Sequence, residues 1–337
     1  MARWQAVRNI LIAAVAVTLL VATVPVAGAP ATFVPNRPIE WTIPAGTGGG
    51  ADQQARFMAP LIAKYNLSPQ PFIPVNRSAG AGAQAFQYMI DKAGESNQIL
   101  ITLDSLFFTP LNQEIKMPDG TRFDWRDMTP IARLLLDNFI LWVHADSPYK
   151  TLGDFEKAVK AAPAGAFKMA GTGSRQEDEI IMVLLEQTWG VKFAYVPFAG
   201  GGAVAAALVG KQVDFTVNNP IEAIGQWEGG RLRPLAIFAS RRVQAKPWDQ
   251  VPTMKELGTN IEYQMLRGIF GPPNMPTAAA AWYVTLFRQL LDTPDMAQFI
   301  QTGGFDRAFL TGTDFVRWLE QKDANVKALM VKAGWIK

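Results

Sequence analysis

The sequence predicts an α/β protein built on mostly parallel sheets flanked by helices. Three observations carry this. Short β-rich runs alternate with helical patterns at the spacing of βαβ crossovers. The alternation comes in two separate sets along the chain. Glycine-rich turns stand where strands pass into helices.

In the first set, Ile39, Glu40, Trp41, Thr42 and Ile43 alternate as a strand and enter Ala45-Gly46-Thr47-Gly48-Gly49-Gly50. Apolar spacing then predicts a helix over 51–65. A second strand over 72–75 leads through Asn76-Arg77-Ser78-Ala79-Gly80-Ala81-Gly82 into a helix ending at 90. A third, over 98–103, ends in Asp104-Ser105. The second set has a strand over 139–144, a helix over 151–161 and a strand over 166–170 entering Gly171-Thr172-Gly173-Ser174. A helix over 176–189, a strand over 192–196, a helix over 203–209 and strands over 213–217 and 235–238 complete it. Beyond the turn at Pro272-Pro273-Asn274-Met275-Pro276 the pattern is helical, over 278–291, 294–302 and 313–333. The two sets divide the chain into one lobe from 32–137 and 256–337 and another from 138–255.

Residues 1–31 read as an export leader. Arg3 and Arg8 give a positive start, an apolar run of about a dozen follows, and small residues come next. That run is shorter than the roughly 20 residues a bilayer span needs. Cleavage is expected after Ala31, since cutting after Ala29 would leave Pro30 first; an uncleaved anchor is the alternative. A soluble, periplasmic protein is therefore expected. There is no cysteine, which removes disulfides, thiolate chemistry and a lipidated tether together. The formal charge of +3 falls to +1 once Arg3 and Arg8 are set aside. No basic run with interleaved aromatics appears, so no nucleic-acid partner is expected.

The glycine-rich turns at 46–50, 171–173 and 200–202 each open a helix, where the first amides lack intrahelical partners and the helix dipole is positive. In open sheets such turns lie at the carboxyl ends of strands, where ligands bind. Their shared meaning is an anion site; ordinary turn chemistry is the competing reading. A phosphate loop is excluded, because Gly210-Lys211-Gln212 ends a helix and does not open one. Gly46, Gly48 and Ala51 fit the dinucleotide fingerprint, but the acid expected about 20 residues later is missing. Carboxylate remains, and no cofactor is expected.

Among side chains, Arg175 begins a helix, where a cation asks for an anionic partner; Glu177, Asp178 or Glu179 is the rival to a ligand. Arg267 sits in an apolar segment and is placed to clamp a carboxylate, or else to make a salt bridge. Asp52 either compensates its helix dipole or meets the ligand. Ser105, Asn218 and Asn219 follow strand ends and are candidate hydrogen-bond donors. Catalysis finds little support: His144 is the sole histidine, with no partner motif, and no Gly-x-Ser-x-Gly elbow exists. A metal site is not expected on one histidine and no cysteine.

The run from Ile43 to Asp52, reading Ile-Pro-Ala-Gly-Thr-Gly-Gly-Gly-Ala-Asp, resembles the first ligand loop of the tripartite tricarboxylate transporter binding proteins, also called Bug proteins. Val196-Pro197-Phe198-Ala199-Gly200-Gly201-Gly202-Ala203 resembles their second loop, continued by Gly210-Lys211-Gln212-Val213-Asp214. Asn76-Arg77, the run from Gly229 to Ala236, Val251-Pro252-Thr253-Met254 and the Pro272 turn extend the likeness over the whole mature chain. The resemblance implies a type II two-lobed periplasmic binding fold with a hinge and no catalysis. It implies pincers at Gly48, Gly49, Gly50 and Asp52 against Gly200, Gly201 and Gly202, holding a ligand carboxylate through backbone amides and bridging waters. Thr172, Gly173 and Ser174 match the family's third contact loop. The chain departs from the pattern at Ala199, where lysine is frequent, at Arg175-Gln176-Glu177, and at Arg267, where an aromatic is common. The extra cation suggests a second carboxylate on the ligand; a di- or tricarboxylate or, separately, an aromatic carboxylate is expected. The implied partners are that small organic carboxylate and integral-membrane permease subunits, the protein itself being a monomer. A carboxylate sensor with a receptor partner and an exported α/β enzyme are the alternatives.

Overall fold

Residues 33–337 are described in the computed structural model; the leader read at 1–31 lies outside the described residues. Three strand–helix units open the chain: β1 (Ile39–Ile43) with α1 (Gly50–Lys64), β2 (Phe72–Asn76) with α2 (Ala83–Asp91), and β3 (Gln98–Thr102) with α3 (Ser105–Asn112). The long β4 (Thr129–Asn138) then crosses into β5 (Ile140–His144) of a second sheet. After α4 (Leu152–Ala161) come three more units: β6 (Lys168–Thr172) with α5 (Glu177–Trp189), β7 (Ala194–Phe198) with α6 (Gly201–Val209), and β8 (Phe215–Thr216) with α7 (Pro220–Glu228). β9 (Leu232–Ile237) ends that sheet. The chain returns through β10 (Gln264–Gly271), α8 (Thr277–Leu291), α9 (Pro294–Thr302), β11 (Asp306–Leu310) and α10 (Gly312–Lys332).

The first sheet has the order β11-β4-β10-β3-β1-β2 and the second β7-β6-β8-β5-β9, so the fold is two-lobed α/β. The sheets are mixed, where the sequence suggests mostly parallel ones. Parallel pairing is confined to the strand–helix units, β1 with β2 and β3, and β6 with β7 and β8. β10 runs antiparallel to β3 and β4, and β5 antiparallel to β8 and β9. The reason is the path of the chain. β4 leaves the first lobe where β10 enters it, and β5 enters the second where β9 leaves it, so each crossing pair must run in opposite directions. The crossings are tied to each other by backbone bonds, Phe238 N donating to Phe139 O and Tyr263 N to Phe238 O, each at 2.9 Å.

β4 escapes a sequence reading because Ile131 to Leu136 is almost unbroken in apolar residues, buried on both faces, and so lacks the alternation that marks a half-exposed strand. Apolar cores cover both faces of the sheets. Trp41, Ile43, Met58 and Phe287 pack under α1 and α8, Trp142, Val204, Leu208 and Trp248 under α6, and a third core runs from Phe86 through Phe139 to Phe155 and Phe215 across the crossing strands. This arrangement aims six helix starts, those of α1 to α3 and α5 to α7, from the carboxyl ends of parallel strands toward the cleft between the sheets. No helix among the described residues is long and apolar enough to cross a membrane.

Candidate functional site

The cleft holds a cavity of about 350 Å³ lined from both lobes. From the first come Gly49, Gly50, Ala51, Ser105 and Arg267; from the second, Thr172, Gly173, Ser174, Gly200 and Gly201. The two triple-glycine turns meet across it. A Cβ on Gly46 would stand 2.6 Å from the Ala199 carbonyl oxygen, closer than real Cβ contacts, so only a glycine lets these backbones touch. Gly48 and Gly202 also adjoin, though a Cβ on either would make only ordinary contacts, at 3.9 and 3.5 Å. At Gly201 a Cβ would fall on the Glu222 carboxylate.

Many amides expected to await a ligand are already held by the protein's own carboxylates. Gly48 N donates to Asp52 Oδ2 at 2.9 Å, and Gly50 N to Glu222 Oε1 at 2.8 Å. Ser105 N donates to Glu177 Oε1 at 2.9 Å, and Thr172 N to Asp178 Oδ2 at 2.6 Å. Two of these four bonds, at Gly50 and Ser105, join one lobe to the other. Ala51, Ser174, Gly200 and Gly201, by contrast, line the cavity with amides that find no acceptor among the described residues.

Five of the residues singled out from the sequence stand outside the cavity lining. Asp52 turns back on its own loop and pairs with Arg56 at 2.7 Å, and Gly48 and Gly202 are used in the loop-to-loop contact. Arg175 is exposed, with its amide on Glu179. Asn218 supports the site from behind, its Nδ2 donating to Gly201 O at 2.9 Å and Glu222 Oε2 at 3.0 Å.

Arg267 lines the cavity but is not a spare cation. Its guanidinium grips Asp137 through Nε at 2.9 Å and through Nη2, the two side chains being 1% and 0% exposed. Nη2 also reaches Asn219 Oδ1 at 3.4 Å. The pairing removes the ground on which a second ligand carboxylate is expected. Nothing in the sequence ties Asp137 to Arg267, 130 residues apart.

Sequence reasoning also passes over the acids of the lining, Glu177, Asp178 and Glu222. The first two look like surface partners for Arg175, since a run of acids at a helix start suits the dipole. They are in fact buried, both 6% exposed. Burial, reinforced by the Asp104 carboxylate, pushes Glu177 up to about 7. Burial likewise holds the Asp178 carboxyl well above its ordinary range, with the Thr172 amide opposing and Glu222 and Glu177 adding to the rise. For Asp137, burial raises the carboxyl to about 7 while the Arg267 guanidinium pulls it down. Glu222 was legible in one respect: three residues after Asn219 and two after Pro220, it has the position of a capping residue, and its Oε2 does accept from Asn219 N at 3.1 Å.

The model of the tripartite tricarboxylate transporter family receptor matches residues 56–335. The UPF0065 protein in the gbd 5' region of Cupriavidus necator is 26% identical over 329 residues, covering 97% of this chain and 96% of its own. A solved TctC solute-binding protein from Polaromonas is 26% identical, covers 89% of this chain and all of its own, and superposes with a TM-score of 0.64. A structure titled as R. palustris Rpa4515 with adipate is 22% identical over 89% of this chain and 98% of its own, with a TM-score of 0.80; at that identity the likeness is one of fold.

Proposed function

The chain belongs to the tripartite tricarboxylate transporter receptor family, and on that premise we propose that it captures a small organic carboxylate between its lobes in the periplasm and hands it to integral-membrane permease subunits. One observation carries the carboxylate: unpaired amides at or just before helix starts of both lobes, Ala51 on one side and Ser174, Gly200 and Gly201 on the other, belong to residues lining a single cavity. Amides at helix N-termini are suited to a delocalised negative charge and need no side-chain cation. The residues assigned to ligand contact are Gly49, Gly50, Ala51, Ser105, Thr172, Gly173, Ser174, Gly200, Gly201 and Arg267. Gly48, Asp52, Arg175, Gly202 and Asn218 shape or support the two turns. The Rpa4515 structure holds adipate, a carboxylate of a size such a cavity accepts. The protein acts as a monomeric receptor without cofactor or turnover.

Titration calorimetry and thermal unfolding against a panel of carboxylates test this reading. A true ligand binds once per chain, is recovered unchanged, and at about 100 times its Kd adds about 2.7 kcal/mol of stability. A panel in which no carboxylate stabilises the folded protein, or in which one is consumed, defeats it.

A further inference from the structure

The cavity carries more acid than a receptor for a plain carboxylate requires. Glu177, Asp178 and Glu222 all line it, and its one cation, Arg267, already holds the buried Asp137. Glu222 is fully engaged, accepting from Gly50 N, Asn219 N and Asn218 Nδ2. Glu177 and Asp178 each give one oxygen to a backbone amide across or beside the cleft. An amide side chain would accept those bonds as well without the cost of burying a charge, so amide capping alone does not account for two acids here. Beside them Ser105, 3% exposed and in the same lining, has an Oγ with no hydrogen-bond partner.

What complements this wall is a donor with positive charge. A second ligand carboxylate would meet the buried acids of this wall, where repulsion between like charges is strengthened. A bare divalent metal needs several oxygens converged within about 2.6 Å of one point; among the described residues no group of three or more acidic, histidine or cysteine side chains is so placed. An ammonium group has three donors and no acceptor, which suits two carboxylates and a hydroxyl oxygen.

Resting on the carboxylate reading above, we propose that the ligand is a zwitterion. Its carboxylate takes the free amides of Gly200, Gly201, Ala51 and Ser174, and its ammonium is received by Glu177, Asp178 and the Ser105 hydroxyl. Burial and the neighbouring Asp104 carboxylate hold the Glu177 carboxyl up to about 7, and an ammonium bound beside it would favour its charged form.

Titration calorimetry at neutral pH on two matched sets decides it: butyrate, succinate and γ-aminobutyrate, then hexanoate, adipate and ε-aminocaproate. In at least one set the amino acid should bind about tenfold or more tightly than both the diacid and the plain acid, a gap of about 1.4 kcal/mol. Glu177→Gln and Asp178→Asn, checked for folding by circular dichroism, should erase most of that preference, bringing the amino acid's affinity to within about threefold of the plain acid's. Repeating the wild-type titration in buffers of different ionisation enthalpy adds a readout that no variant is needed for: the ammonium ligand should release protons on binding, whereas a diacid should take them up. A diacid that binds as tightly as its amino counterpart, or with proton uptake, overturns the proposal, as does a preference that both variants retain. If no member of either set binds while another carboxylate of the panel does, the zwitterion proposal falls alone; if no carboxylate binds at all, the reading above falls with it.

Discussion

Glu222 of the second lobe accepts a hydrogen bond at 2.8 Å from the amide of Gly50, the first residue of α1 in the first lobe. A carboxylate of the protein thus sits where a helix start offers its charge to an anion, and it does so across the cleft. Its other oxygen is fixed by Asn219 N and Asn218 Nδ2, so α1 and α7 are joined start to start through one side chain. With the matching bond from Ser105 N to Glu177, this arrangement holds the lobes together and reserves part of the anion site.

Glu222→Ala should loosen the closed form and free an anion position together. Removing a charge-assisted acceptor costs about 1.5–3 kcal/mol of stability without ligand. The freed Gly50 amide and the lost negative charge should strengthen carboxylate binding several-fold. Chemical denaturation and calorimetry on the same variant check both; unchanged stability with weaker binding would mean that Glu222 touches the ligand directly.

Arg267→Ala should destabilise the fold by about 3–5 kcal/mol, because it leaves Asp137 buried and unpaired. The double variant Arg267→Met with Asp137→Leu should recover most of that loss. Urea unfolding of Arg267→Met, Asp137→Leu and the double variant measures the coupling. Were the two losses simply additive, the pair would not be the unit described here.

Stability should fall as pH rises through neutrality. Glu177 and Asp137 have folded-state values of about 7, above those of free carboxyls near 4. The stability associated with a raised acid is fully present below its unfolded value and is lost as pH climbs through the folded one. From pH 5 to pH 8 each therefore withdraws on the order of 3 kcal/mol. Glu177→Gln keeps an acceptor for Ser105 N and removes the titration, so its melting temperature should vary less over that interval than the wild type's.

Gly46→Ala should open the cleft. Its Cβ would sit 2.6 Å from Ala199 O on the other lobe, and backbone cannot yield there without parting the two turns. Small-angle scattering should show a larger radius of gyration, and ligand affinity should drop about tenfold or more, or ~1.4 kcal/mol. Gly225→Ala is the control: it lies within α7 with nothing within 4 Å of a new Cβ, so it should be neutral or add up to about 1 kcal/mol.

Much of the frame is legible in the chain itself. Strands 39–43, 72–75 and 98–103 fall on β1, β2 and β3, because each is a short β-rich run ended by turn chemistry and followed by a helical pattern. The glycine turns are equally local, since close backbone approach needs no Cβ wherever the turn is finally placed. β4 and β10 are harder: buried on both faces, they carry no period, and their antiparallel direction follows from where the chain crosses between lobes.

The sequence by itself determined that strands feed glycine-rich helix starts, and so that unpaired amides would gather at strand ends. Only the tertiary structure decided which amides stay free. Asp137 meets Arg267, Glu222 meets Gly50 and Glu177 meets Ser105 over separations of 130, 172 and 72 residues. No local pattern encodes such pairs. The charge of a cleft is set by which side chains the two lobes bring face to face, and that is a property of the closed fold rather than of any segment of it.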